Sequence, residues 1–363
     1  TGASYSVVED VNKDKTLNVV SHFDTKFKDN WKFNANFSYQ NLKSDNFRRV
    51  KDLLGANYAN NLDAYGNDLP YDVDAADTKV YVGDRTQYSY ILNKNTYAIN
   101  LSTEIDLPRW NVVASVFSSY SESYRDGQFR NHYYLNSSKG KSDVYNTTDA
   151  GMKAKVTYKI DGKNFLVYTG AYYTLAPTLN EIFVNPRTTN LITPEVQNMH
   201  VNSNELSYIL RSQILKLRLS GYYTTIQKAT EFSRYYFDIT AGSADEGNAL
   251  AAEVLTNLNK TYKGLELGAE VKVTPTLSVT AVGSLGDYRV TNNPNVASYD
   301  DEHGYRGKEF WGTANIKGYK EAGTPQKAAS FGVRYNSPKY WWIGASANYL
   351  ADQYLDFTAL NKT

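Results

Sequence analysis

Cysteine is absent from this 363-residue chain, which rules out disulfide staples, thiolate nucleophiles and cysteine-ligated metal. Histidine is nearly as scarce. His22, His132, His200 and His303 stand far apart, with no ligand spacing, nucleophile elbow, phosphate loop or zinc motif around them. No enzyme chemistry, metal or cofactor is expected. An excess of one charge is also missing: 39 Lys and Arg against 38 Asp and Glu leave a formal charge of +1, so nothing indicates nucleic acid. Long apolar runs are lacking as well. The richest stretch, about Trp341 to Ala351, falls short of the roughly 18 apolar residues that a spanning helix needs. No signal segment is visible at Thr1-Gly2-Ala3.

What is present is alternation. Trp31, Phe33, Ala35, Phe37 and Tyr39 share one face of an extended segment, while Lys32, Asn34, Asn36, Ser38 and Gln40 share the other. Before them, across Lys28-Asp29-Asn30, Leu17, Val19, Phe23 and Phe27 stand against Asn18, His22, Asp24 and Lys26. The same hairpin layout occurs six times, at about 16–27 with 31–42, 95–107 with 110–123, 148–160 with 164–175, 202–211 with 215–226, 261–273 with 277–290, and 326–336 with 340–352. Turns within hairpins are short, and three contain proline, at Pro108, Pro275 and Pro338, where no ladder donor is lost. The connections between hairpins, about 43–94, 124–147, 176–201, 227–260 and 291–325, are long and polar. Short turns at one end, long loops at the other and a two-residue period describe an antiparallel transmembrane β-barrel, all-β, of which about twelve strands are here. The wall is expected to face outer-membrane lipid, with Lys153, Lys155 and Lys159 turned into the lumen.

Two refinements follow. Aromatics gather beside the short turns: Phe27, Trp31, Trp110, Tyr158, Phe165, Tyr335, Tyr340, Trp341 and Trp342 are expected to form the girdle at one membrane interface. Within the long loops, Arg48 to Gly55 and Glu246 to Thr256 carry apolar residues at helical spacing, the second behind Asp245 as an N-cap, and short helices are expected there. The strand directions put both ends of the chain outside. An intact barrel starts and ends at the periplasm, so strands are expected to be missing from each end.

Tyr172 to Arg187 reads YYTLAPTLNEIFVNPR, followed by Thr188-Thr189-Asn190, Pro194-Glu195 and Glu205-Leu206-Ser207-Tyr208. With Tyr262-Lys263-Gly264-Leu265-Glu266-Leu267, Thr324-Pro325-Gln326, Tyr340-Trp341-Trp342 and Asp352-Gln353-Tyr354-Leu355-Asp356, this resembles the distal barrel of TonB-dependent outer-membrane receptors. It looks closest to the branch with an N-terminal carboxypeptidase-regulatory-like domain. The resemblance covers about 150–360; upstream only the barrel pattern speaks. It implies a 22-stranded barrel around an N-terminal plug, with import driven by a TonB complex that contacts the plug. Residues 1–363 would then be part of one barrel domain, lacking the plug, the first strands and the last ones.

Ligand capture is expected from Tyr- and Arg-rich loop segments, since aromatic faces stack on rings and sugars and Arg grips carboxylate or phosphate. The candidates are Tyr124, Arg125, Tyr133, Tyr134, Arg234, Tyr235 and Tyr236, together with Arg187 in the family motif. Arg187 and Glu181 are expected to order their loop as well. Asp68, Asp72, Asp74 and Asp77 form an acidic loop without the Gly and distal Glu of a calcium-binding hand, and read as solvated rather than metal-binding. The ligand is a small molecule, glycan or peptide, with iron chelate, haem and cobalamin open, and a surface lipoprotein lid is left open too. The rival reading is a soluble or surface-attached all-β glycan-binding module. It should show internal repeats or long loops at both ends. A complete twelve-stranded pore would strand its termini outside.

Overall fold

The computed structural model describes residues 1–63, 68–238, 248–300 and 309–356, with backbone alone at 235–238, 248–251, 300 and 309–311. Twelve long strands follow one another in sheet order, each pairing antiparallel with the next in sequence. They are β1 (Val7–Lys28), β2 (Trp31–Asp52), β3 (Arg85–Asp106), β4 (Trp110–Gly127), β5 (Tyr145–Lys159) and β6 (Asn164–Leu175). The second half is β7 (Met199–Arg211), β8 (Leu215–Asp238), β9 (Asn248–Lys272), β10 (Leu277–Val290), β11 (Lys327–Asn336) and β12 (Trp342–Ala351). This is the expected all-β wall with its six short-turn hairpins.

The register carries one apolar stripe across the whole sheet. Leu101 faces Ala35 and Val116, Val116 faces Met152, and Met152 faces Tyr172. Further on, Leu219 faces Leu267, and Ala281 lies between Ala269 and Phe331. Leu17, Val19, Phe23, Leu206, Leu265 and Leu285 on this face are each more than half exposed. A continuous apolar face of this size belongs in lipid, not in water. The other face is polar: Lys32 pairs with Glu104 at 3.2 Å, Lys159 with Asp106 at 2.7 Å, and Lys216 with Glu270 at 3.2 Å.

Several expected boundaries move. Strands run past the apolar band, so β1 and β2 are 22 residues each, and β8 and β9 are 24 and 25. Above the membrane neither face has to be apolar, so the two-residue signal fades while pairing continues. The helix expected at Arg48 to Gly55 is the end of β2 and a turn, and the second one is strand from Asn248 onward, while Asp245 and Glu246 lie outside the described residues. Backbone pairing along an existing edge outweighs weak helical spacing, because a short isolated helix is marginal. The girdle also needs a correction. Phe27–Trp31, Trp110–Tyr158 and Tyr335–Trp341 pack ring to ring at 5.1, 4.6 and 5.4 Å. Phe165 and Trp342 sit in register on the lumen face instead, under Arg211 and Arg334.

Leu267 lies on the lipid face and its neighbour Glu266 on the lumen face. Leu267→Arg is expected to cost about 2–4 kcal/mol and Glu266→Arg less than about 1 kcal/mol, read as the shift in denaturant midpoint of heat-modifiable migration. Equal costs would mean that the two faces are misassigned.

Candidate functional site

The connection 176–198 is the hub of the outer mouth. Thr178 opens it with a capping box, its own N–H donating to Glu181 Oε2 at 2.6 Å, and one helical turn, Leu179–Ile182, follows. Ile182, Phe183 and Val184 come next, all less than 4% exposed. Ile182 and Phe183 pack with Tyr88, Tyr90 and Leu92 of β3, whereas Val184 packs with Ala252 and Val254 of β9 and Phe232 of β8. In sheet order β3 and β8 are five strands apart, roughly 24 Å at about 4.8 Å per strand. Three consecutive residues reach both only because the wall curves around them. The loop therefore fills the lumen side.

Polar contacts hold the loop from all sides. Arg125 on β4 is 1% exposed and donates to Pro186 O at 2.6 Å, Ser138 O at 2.7 Å and Asn190 Oδ1. Its guanidinium is also 5.5 Å from the centre of the Tyr90 ring. Arg234 on β8 donates to Val184 O at 3.2 Å. Glu195 accepts from Thr256 Oγ1 at 3.2 Å and from Asn295 Nδ2 at 3.1 Å, which joins the loop to β9 and to the last connection. Arg187 stands 4.6 Å over the Tyr88 ring and 3.7 Å from Asp10. Arg48 hydrogen-bonds Asp10 at 2.6 Å and holds its carboxyl well down, at about 2.

The expected site residues thus fall into four groups. Arg125 and Arg234 converge on the 176–198 loop, Arg187 reaches from it to Tyr88 and Asp10, and Glu181 caps its opening turn. Arg125 is so buried that a ligand has no access to its guanidinium, which corrects its place among contact residues: it clamps two loops. Tyr133 and Tyr134 lie in the 128–144 connection and line a recess of about 350 Å³ with Leu135, Ser137, Thr189 and Leu191. Tyr124 is set apart. Its register places it on the outer face of β4, with Lys141 at 4.1 Å over its ring. Tyr235 and Tyr236 pair through their backbone with Ala251 and Leu250, and their side chains lie outside the described residues.

The acidic loop works as turn and clasp. Asp72 Oδ1 accepts from the N–H groups of Asp74 and Arg130, Asp74 pairs with Arg130 at 3.1 Å and Lys139 at 2.7 Å, and Asp77 accepts from Lys79 N–H. Two lumen groups were not legible in the sequence. Lys260 is held by Glu231 and by Glu321 at 2.8 Å in a recess of about 510 Å³; burial opposes its charge, but the two carboxylates keep its pKa above the ordinary value. Tyr222 and Tyr288 share a hydrogen bond at 2.6 Å, with Tyr262 5.4 Å from Tyr288. A Cβ at Gly264 would lie 2.5 Å from the Tyr222 hydroxyl and 2.5 Å from Leu285 O, so the motif glycine leaves the room this cluster needs. Both groups join residues from different strands, so no local pattern announces them.

An apolar-faced wall whose outer mouth is filled by its own loops is the build of an outer-membrane receptor barrel. The chain belongs to the TonB-dependent receptor family: the family model for the TonB dependent receptor-like β-barrel matches residues 2–363. Among solved structures it is similar to the ferric citrate transporter FecA, with TM-score 0.60 and 12% identity over 95% of this chain and 43% of that one. The siderophore receptor PiuA from Acinetobacter baumannii gives 0.59 and 14%, covering 94% of this chain and 46% of that one, and the copper transporter OprC gives 0.59 and 12%, covering 94% and 44%. The chain spans less than half the length of these proteins. No curated protein matches it in sequence. Family membership and the lipid-facing stripe displace the soluble glycan-binding module.

Two outcomes follow from this geometry. Arg125→Met is expected to raise amide exchange in both 128–144 and 176–198 by roughly 10- to 100-fold, since hydrogen bonds from a charged donor are worth about 1.5–3 kcal/mol each; unchanged exchange in either loop would remove the clamp. The second concerns His132. Its side chain is 3% exposed, Nδ1 lies 3.2 Å from Pro70 O, and Nε2 lies 3.5 Å from Asp63 without a hydrogen bond. Burial, only partly offset by Asp63 and Pro70 O, pushes its pKa below 6.5. A lowered pKa means fewer protons bound in the folded state, so the stabilisation is complete above the ordinary value and declines as pH falls through the folded pKa. Protection across 128–144, taken relative to the intrinsic exchange rate at each pH, should therefore fall between pH 7.5 and pH ~5, and His132→Phe should flatten the change. Tighter protection at the lower pH would mean that an ion pair with Asp63 dominates.

Proposed function

We propose that this chain forms the wall and loop-filled mouth of a receptor that captures a nutrient at the outer surface and imports it by TonB-dependent transport. The observation that carries the reading is the 176–198 connection. It is folded onto the lumen face and held by β3, β4, β8 and β9, so the outer opening is gated by protein rather than left as a water-filled pore. Passage needs that layer or what lies beneath it to move, which calls for an energy source. A plug contacted by the TonB complex supplies it in this reading, and no bond chemistry is involved.

The ligand would meet the aromatic and cationic groups that reach the mouth: Tyr133 and Tyr134 beside their recess, and Arg187 and Arg234 on the rim, with Tyr235 and Tyr236 kept as candidates from their place in the sequence of β8. Such a set suits a small anionic molecule with flat or ring surfaces, of which a metal chelate is one and an acidic glycan or peptide another. The similar structures include a ferric citrate transporter, a siderophore receptor and a copper transporter, which supports a chelate as the first class to try.

The test is uptake by intact cells that make the full-length receptor, using radiolabelled ferric citrate, ferric catecholate and haem with and without an uncoupler. Surface binding without the proton-motive force and accumulation only with it are expected for at least one probe. Tyr133→Ala with Tyr134→Ala should weaken binding by about tenfold, near 1.4 kcal/mol. Accumulation at the same rate after uncoupling would make the protein a passive pore.

A further inference from the structure

The lipid face holds a feature that the transport reading does not use. Across β6 to β10 the outer surface dips into a groove of about 620 Å³ lined by Tyr168, Leu206, Gly221, Tyr223, Leu265 and Leu285. Gly221 makes the dip. It stands in register between Leu206 and Leu265, and a Cβ there would meet Leu265 Cδ2 at 3.3 Å. The groove walls are apolar, and Leu206, Leu265 and Leu285 are 52, 58 and 60% exposed.

Charge gathers at one end of it. Lys263 and Asp287 face each other in the next outward positions of β9 and β10, and Arg289 follows two residues later on the same face. Asp287 receives Arg289 at 2.7 Å, Lys320 at 2.5 Å and Lys263 at 3.6 Å. Among the described residues, then, three cations share one carboxylate and two positive charges are in excess. The height is fixed by counting. From Lys263 to the strand end at Lys272, nine steps of about 3.3 Å tilted by roughly 40° rise ~23 Å, close to the full depth of the apolar band above the periplasmic turn. The cluster therefore lies where the outer-leaflet headgroups begin, and the groove runs below it among the acyl chains.

We infer that this face of β6–β10 is a seat for a phosphorylated lipid of the outer leaflet, with an acyl chain in the Gly221 groove and phosphate held by Lys263, Arg289 and Lys320. The two halves suit one molecule, because the groove offers only dispersion and burial while the rim offers only charge and donors. Two excess positive charges favour a twice-phosphorylated lipid over a zwitterionic one.

Native mass spectrometry of the full-length receptor in neutral detergent, titrated with lipid A, phosphatidylglycerol and phosphatidylcholine, tests this. Lipid A is expected to bind about thirtyfold more tightly than phosphatidylcholine, as two uncompensated charges near a membrane surface allow. Lys263→Gln, Arg289→Gln and Lys320→Gln together should erase that margin. Gly221→Leu, which fills the groove and leaves the charges alone, should weaken lipid A by about tenfold. Asp287→Asn should tighten it by about fivefold, a direction that a merely structural role for the cluster would not produce. Heat-modifiable migration checks that each variant folds. Phosphatidylcholine or phosphatidylglycerol binding as tightly as lipid A, or indifference to the triple variant or to Gly221→Leu, would overturn the assignment.

Discussion

Inside hydrocarbon, a backbone N–H or C=O has no water to turn to, and each one left unpaired costs several kcal/mol. That constraint orders the rest of this protein. It requires strand beside strand without interruption, and the twelve strands pair in unbroken sequence from β1 to β12. It puts proline in the turns. It also divides every strand into a lipid face and a lumen face, so Leu267 must be apolar while Glu266, one residue away, is free to be charged. Side-chain choice on the wall follows from backbone chemistry.

Above the membrane the constraint relaxes, and a second organising element takes over. The 176–198 connection buries Ile182, Phe183 and Val184 against opposite parts of the wall, contributing roughly 1.5–3 kcal/mol for each side chain removed from water. Its backbone carbonyls and the Asn190 amide oxygen then collect arginines from β4 and β8. Arg125 shows the logic. A buried guanidinium is costly unless its donors are used, and Pro186 O, Ser138 O and Asn190 use them. The same contacts that satisfy the charge lock two loops over the lumen. The covering of the lumen and a well-packed core are here one set of residues.

Twelve strands, their hairpins and the orientation of both faces were legible in the amino-acid order because lipid imposes a period of two. The lengths were not, since above the band the period is no longer selected, and β8 and β9 run on through segments such as Asn248 to Thr256 that carry a faint helical spacing. Candidate site residues were legible by type and not by role. Tyr and Arg in loops are suited to capture, yet Tyr124 looks outward, Arg125 is sealed inside, and Tyr133 and Tyr134 border a recess. Sequence neighbours diverge like this because adjacent strand residues point to opposite faces.

By itself, then, the amino-acid order determined the all-β wall, its lipid and lumen faces, its short and long connections and its resemblance to a receptor family. These are local or periodic properties, set by one strand meeting one solvent. Only the tertiary structure decided which loop fills the mouth, which arginines clamp it, how Lys260 finds Glu231 and Glu321, and where Gly221 opens a groove beneath Lys263 and Arg289. Each of those joins residues from separate strands or connections. Their meeting depends on curvature and register of the whole sheet, which no local pattern encodes.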